Sequence, residues 1–195
     1  MKNRGEQKER GAGLIVLIIV MAFLLTVGAV LISVTGTGPR VAGNVRLQEQ
    51  AFNAAEAGFD SAWNALEESF LAAGWTSFDG HYVTSPSGID LPIDKDYFRR
   101  LNDEDLLDAL DNNGDGIADD LNVIFFKNPY VLNQSGGLDA RYTYTAFLID
   151  DEAGGGDPDA GDALLICIGT VQQGNMLTTS RLEIELSIQL AGTSP

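Results

Sequence analysis

Ala12 to Val34 reads AGLIVLIIVMAFLLTVGAVLISV, and the organisation of the whole chain follows from how this run is read. No charged residue occurs from Gly11 to Pro39. As a helix rising about 1.5 Å per residue, Ala12–Val34 spans roughly 35 Å, enough to cross the hydrocarbon of a bilayer. A cleaved secretory signal would have an apolar region of about 7–15 residues followed by a small-residue cleavage site. This run is longer, and helix-compatible sequence resumes after Ser33-Val34-Thr35-Gly36, so the segment is expected to be retained. Lys2, Arg4, Lys8 and Arg10 precede it, and such a basic flank stays cytoplasmic, which sends everything after Val34 outward.

Moving outward, Thr35-Gly36-Thr37-Gly38-Pro39 predicts a helix breaker at 35–39, because glycine costs backbone entropy and proline removes a donor. An amphipathic helix is predicted over 40–74, with Gly74 as its terminator. Phe52, Phe59, Trp63, Leu66 and Phe70 fall along one face of it, flanked by Ala51, Ala54, Ala55, Ala57 and Ala62. Residues 75–195 form the globular part. Trp75 to Leu91 reads as a connecting loop, and Asn102 as the cap of a short acidic helix over Asp103–Leu110. Strand-like runs follow at Leu121–Phe126, Arg141–Ile149, Ala163–Val171 and Leu177–Leu190, with a hairpin turn at Gln172–Asn175. In the last run Leu182, Ile184, Leu186, Ile188 and Leu190 alternate with Glu183, Glu185, Ser187 and Gln189. An antiparallel sheet packed on the amphipathic half of a long helix gives an α+β fold.

Charge and cysteine content exclude several functions. The 195 residues carry 12 Lys and Arg against 28 Asp and Glu, a net charge of −16. Residues 1–11 take four of the bases and two of the acids, so the remainder carries −18. A domain that acidic repels phosphate backbones, which argues against nucleic-acid binding and makes a cation a natural partner. Cys167 is the only cysteine, so no intrachain disulfide forms, and its apolar neighbours Leu164–Ile168 read as core. His81 is the only histidine and lies in a Gly/Ser/Thr-rich stretch, which argues against a catalytic triad or a zinc site. No phosphate-binding loop is present, and nothing in the sequence points to an enzyme.

A basic leader ending in glycine, an apolar helix, its amphipathic continuation and a small antiparallel sheet together resemble a type IV pilin or a type II secretion pseudopilin. Glu9-Arg10-Gly11-Ala12-Gly13-Leu14-Ile15-Val16, Val41-Ala42-Gly43-Asn44-Val45-Arg46 and Ala51-Phe52-Asn53-Ala54-Ala55-Glu56-Ala57 are similar to the N-terminal pattern of PilX-type minor pilins. The resemblance covers about the first 70 residues. It implies that residues 1–11 are a leader, that prepilin peptidase cuts after Gly11 and that the new terminus, Ala12, is methylated; a cut after Gly13 is the alternative. It further implies an inner-membrane span over 12–34 before assembly. Afterwards, Leu14, Val16, Leu17, Leu24, Phe52 and Phe59 would pack against the helices of other pilin subunits in an extracellular filament or a periplasmic pseudopilus. Most pilins place glutamate at the fifth mature position, where this chain has Val16, or Ile18 for the alternative cut. No carboxylate lies between Arg10 and Glu49. That departure favours a minor, priming or tip subunit over the major filament subunit.

The remaining motif is the acidic loop 111–122, Asp111-Asn112-Asn113-Gly114-Asp115-Gly116-Ile117-Ala118-Asp119-Asp120-Leu121-Asn122. Its first half matches D-x-[DN]-x-[DN]-G, the opening of a calcium loop. Asp111, Asn113 and Asp115 would supply side-chain oxygens, Ile117 its carbonyl, and Asp119 an oxygen directly or through water. Asn122 stands where a bidentate glutamate belongs, so Asp120 or a distant carboxylate is expected to supply the missing oxygen. Calcium is the preferred cation, and a solvated acidic turn is the alternative. The second acidic stretch, Asp150–Asp162, has no convergent spacing and reads as a solvated connection. The sequence thus supports a structural filament subunit. Its competitor is a membrane-tethered extracellular calcium-binding or adhesive module that never polymerises.

Overall fold

The computed structural model describes residues 6–150 and 161–188, and for helical positions 6–12, 33–37 and 40 the backbone alone. The leader residues 1–5, the acidic stretch 151–160 and the strand end containing Leu190 lie outside the described residues. Two helices and four strands form among them: α1 (Glu6–Leu71), α2 (Asp103–Leu110), β1 (Val123–Pro129), β2 (Tyr142–Ile149), β3 (Asp162–Gln173) and β4 (Met176–Ser187). The chain divides into two compact units, one ending at Arg46 and the other beginning at Leu47.

In the first unit the predicted breaker is absent. Residues 35–39 are helical, and Pro39 lies inside α1. Proline and two glycines in a helix interior carry local penalties of about 3 and about 1 kcal/mol each. A break would instead leave the four N–H and four C=O groups of two new helix ends to be satisfied. With long helical sequence on both sides, continuation also avoids a second nucleation. Gly13–Ile32 is long and apolar enough to cross a membrane, and none of it is buried.

The second unit is built on a four-stranded antiparallel meander in the order β1-β2-β3-β4. β2 and β3 pair without interruption from Tyr142↔Val171 to Ile149↔Leu164, and β3 and β4 from Asp162↔Ser187 to Gln173↔Met176. Gly174, at φ 61°, supplies the left-handed residue that the two-residue β3–β4 connection needs. β1 pairs irregularly, with register shifts on either side of Phe125. Alternation along β4 is as expected where it is described: Glu183, Glu185 and Ser187 are exposed, while Leu186 is buried.

Both faces of the sheet are covered. Against α1 lie Ala146, Leu148, Leu165, Cys167 and Leu186, packed with Ala62, Leu66, Phe78 and Tyr82. On the other face, Phe147, Ile149, Leu164, Ile166 and Ile168 meet Leu106, Leu107 and Leu110 of α2 together with Val83, Ile89 and Phe98. Residues 75–91, read from sequence as connecting loop, therefore supply part of a second cover through Val83 and Ile89, with Phe98 added from the stretch that follows. The unbroken apolar run Leu164–Ile168 follows from burial on both faces rather than one. Burial pushes the Cys167 thiol up to about 12, so it is a core group and not a nucleophile.

α1 meets the sheet partly with the predicted face, through Leu66 with Phe59 and Phe70 packed beside it, and partly with the alanines predicted only as its flank. Ala51, Ala54, Ala55 and Ala62 are fully buried, whereas Phe52 and Trp63 are 42% and 49% exposed. The cause is backbone approach. A Cβ built on Gly169 of β3 would overlap the Ala51 carbonyl oxygen and the Ala55 nitrogen, and would stand 2.8 Å from the Ala54 carbonyl carbon. A Cβ on Gly58 would stand 3.0 Å from that of Tyr144. Helix and strand are too close for aromatic rings between them, so the rings take the flanks.

α2 begins as expected, with Asn102 Oδ1 accepting the Asp105 N–H at 2.8 Å. Arg181 of β4 holds this corner: Nε donates to Asp103 Oδ1 (2.7 Å), Nη1 to the Phe98 carbonyl (2.9 Å) and Nη2 to the Leu101 carbonyl (3.1 Å).

Candidate functional site

The acidic loop leaves the C-terminal end of α2. Gly114 and Gly116, at φ 72° and 84°, turn it back on itself, as the D-x-N-x-D-G spacing requires. Asp111 is buried at its base. Its Oδ1 accepts the Asp115 N–H (3.1 Å) and its Oδ2 the Gly116 N–H (3.0 Å). Asn113 Oδ1 accepts the same Asp115 N–H at 2.8 Å, which places two of the predicted ligand oxygens side by side. Asp115 Oδ1 accepts the Ile117 N–H at 2.9 Å. Asp119 joins them, its Oδ2 accepting from the Asn112 N–H (3.0 Å) and its Oδ1 from Asn113 Nδ2 (3.2 Å).

Asp120 does not join them. Its Oδ2 accepts the N–H groups of Thr84 (2.7 Å) and Ser85 (3.0 Å), and its Oδ1 that of Asn122 (2.9 Å). Burial alone would raise this carboxyl. The N–H groups of Asn122, Thr84 and Ser85 and the Thr84 hydroxyl outweigh it and hold Asp120 below its ordinary value. Asn122 Nδ2 donates to the Tyr82 carbonyl at 2.7 Å, so the twelfth position also serves as an anchor to the 82–85 segment. Among the described residues no three Asp, Glu, His or Cys side chains are gathered so as to hold a metal ion. The oxygens present, with the Ile117 carbonyl and the Asn113 amide, are of the hard type that suits calcium.

A cation of the chain itself stands at this loop. Lys127 Nζ lies 3.7 Å from Asp111 Oδ2. Lys127 is the one non-glycine described residue with positive φ (45°), at the irregular part of β1, and its N–H donates to Thr145 Oγ1 at 3.0 Å. Nothing in the local sequence announces this placement, because it depends on how β1 pairs with β2. His81 stacks on Trp75 with ring centroids 3.4 Å apart, in keeping with a packing role.

Of the residues expected to pack against other helices, Leu14, Val16, Leu17 and Leu24 are all more than half exposed. Phe52 is exposed and Phe59 is half-buried. For Gly11 and Ala12, at the expected cleavage point, only the helical backbone is described.

No curated protein and no solved structure matches the chain. Residues 10–60 match the family model described as PilX N-terminal. That stretch takes in the exposed apolar segment and three of the buried alanines of α1, Ala51, Ala54 and Ala55, and it stops before the sheet and the acidic loop. From Arg10 to Asp60, about a quarter of its length, the chain is thus similar to the N-terminal region of PilX-type proteins.

Proposed function

We propose that the protein is a minor subunit of a type IV pilus or a related secretion filament, inserted at a priming or tip position. The observation that carries this reading is the coincidence of the PilX-type region, residues 10–60, with an apolar helical segment, Gly13–Ile32, none of which is buried. Bilayer hydrocarbon and packed apolar helices are both dry environments, so one surface serves before and after assembly. Val16 in place of a carboxylate leaves nothing to neutralise the terminal amine of a neighbouring subunit, which suits a position with no subunit stacked above it. Prepilin peptidase then removes residues 1–11 and Ala12 becomes the methylated terminus. Intact mass of the membrane-extracted protein tests this: loss of Met1–Gly11 with one added methyl group is expected. Retention of the leader in cells with active peptidase would sink the reading. Gold labelling of purified filaments separates the positions, with label at the ends expected and label along the length favouring a major subunit.

The acidic loop supports a second element of the proposal, a structural calcium ion held by Asp111, Asn113, Asp115, Asp119 and the Ile117 carbonyl. The supporting observation is that a single N–H already brings the Asp111 and Asn113 oxygens together. With Asn122 at the twelfth position, affinity belongs to the roughly 10⁻⁴–10⁻³ M class of extracellular modules. At about 100 times the dissociation constant, a ligand of the folded state alone adds about 2.7 kcal/mol. The melting temperature of the full chain in detergent should therefore rise in millimolar calcium, rise less in magnesium, and lose the response in the exposed-site variant Asp115→Asn. Identical melting in calcium and in chelator leaves an acidic turn neutralised by Lys127.

A further inference from the structure

The sheet face opposite α1 changes character along its length. Where α2 and residues 83–98 cover it, the strands present Phe147, Ile149, Leu164, Ile166 and Ile168. Toward the start of β2 and the end of β3 the same face continues as Thr145, Thr143, Thr170 and Gln172, paired in register with Ile168, Thr170, Thr143 and Leu177 respectively. α2 has only eight residues and spans about 12 Å, so the sheet outruns its cover. A cleft of about 470 Å³ opens there, within the size range of small-ligand sites.

Its floor is polar and fixed. Thr143 and Thr170 are 8% and 5% exposed, with their hydroxyl oxygens 2.6 Å apart. With Thr143 as the donor in that bond, the Thr170 hydroxyl donates to the Thr143 carbonyl at 3.4 Å, so the floor presents fixed hydroxyl lone pairs to the cleft. Two cationic side chains form walls, and each is held from behind by a carboxylate. Lys127 is paired with Asp111 (3.7 Å), and the Arg141 fork with Asp139 (Nη2–Oδ2 2.7 Å, Nε–Oδ1 3.0 Å). Gln172 and Asn175 add amide groups, Glu104 adds an acceptor, and Leu107 and Leu177 add apolar edges.

The charge balance selects the ligand. With Asp111 free of calcium both cations are neutralised, Glu104 leaves the lining slightly negative, and the chain as a whole carries −16, so an anion is not favoured. What remains is a dense set of donors and acceptors without net positive charge, edged by apolar carbon. That combination matches a ring bearing several hydroxyls on one side and C–H groups on the other. We propose that the cleft between α2 and the Thr143–Thr170 floor binds a neutral saccharide unit, a capacity independent of whether the chain assembles into a filament.

The test uses the full chain in a zwitterionic detergent without a sugar headgroup, followed by amide NMR. The probes are glucose, galactose, N-acetylglucosamine and lactose, with inorganic phosphate as the anionic comparison. A saturable shift of the Thr143, Thr170 and Gln172 amides by at least one sugar is expected, weakened about tenfold in Gln172→Ala and in Arg141→Ala, each losing a hydrogen-bonding group. The rest of the spectrum should stay unchanged, which separates lost contacts from lost fold. No saturable shift up to about 100 mM sugar, an affinity too weak to count as recognition, overturns the proposal. So does tighter binding of phosphate to the same amides, or undiminished sugar binding in both variants.

Discussion

In the N-terminal half of α1, Leu14 through Ile32 stand exposed, bulky and apolar on every side; in the C-terminal half, alanines are buried to the last atom while Phe52 and Trp63 remain half in solvent. Within one helix the ordinary association of size with burial is reversed, and the partner explains the reversal. A bilayer or a bundle of neighbouring helices accepts large side chains all round. A strand that approaches backbone to backbone accepts only small ones, so the second half of α1 gains its burial from closeness instead of bulk. Hydrophobicity alone therefore does not say which side of a helix packs; the space left by the other element does.

The largest expected effect breaks the close contact. Gly169→Leu should cost about 3 kcal/mol or more, read as a fall in the midpoint of chemical unfolding. Because the clash is with the backbone of Ala51–Ala55, trimming a side chain on α1, as in Ala55→Gly, should not rescue it. Next comes the exposed half. Leu24→Lys places a charge in the apolar segment at about 2.5–3.5 kcal/mol, and membrane fractionation should show reduced insertion, with no incorporation into filaments. Normal incorporation would refute the role given to Gly13–Ile32.

A smaller effect comes from Asp120, outside both halves. Its folded pKa is depressed, so its contribution is present above the ordinary value of 3.8 and is lost as pH falls through the lower folded value. Asp120→Asn should cost about 1 kcal/mol at neutral pH and flatten the acid limb of a stability curve below about pH 4. An unchanged acid limb would show that the loop anchor does not matter. The smallest expected effect sharpens the comparison by being nearly nothing: Trp63→Ser, on the aromatic flank, should shift stability by about 0.5 kcal/mol or less. A large loss would mean that the flank, not the alanine side, carries the packing.

Much of this was legible in the sequence. The apolar segment, the Asn102 cap, the Gly174 turn and the alternation through Glu183–Ile188 are local patterns, and each has a local physical cause. The acidic loop was legible in its glycines and in the meeting of Asp111 with Asn113. What escaped depends on distant partners. Asp120 is drawn to Thr84 and Ser85, more than thirty positions away, and Lys127 reaches Asp111 only because β1 is irregular against β2. The breaker at 35–39 was overread because propensity prices each residue separately, whereas helix ends carry costs of their own. Ala51 and its neighbours looked like filler beside the aromatic residues, and only Gly169, on the far side of the chain, reveals them as the contact.

That same glycine has a mechanical meaning. Ala51–Ala55 rest in a notch where β3 has no side chain, and β3 is hydrogen-bonded along its length to β2 on one side and to β4 on the other. A tension applied along α1 would not be resisted by sliding apolar surfaces. It would meet a backbone stop, and the load would enter the sheet through its most cross-linked strand, as shear shared between two ladders. Gly169 marks where the second half of α1 is keyed to the sheet.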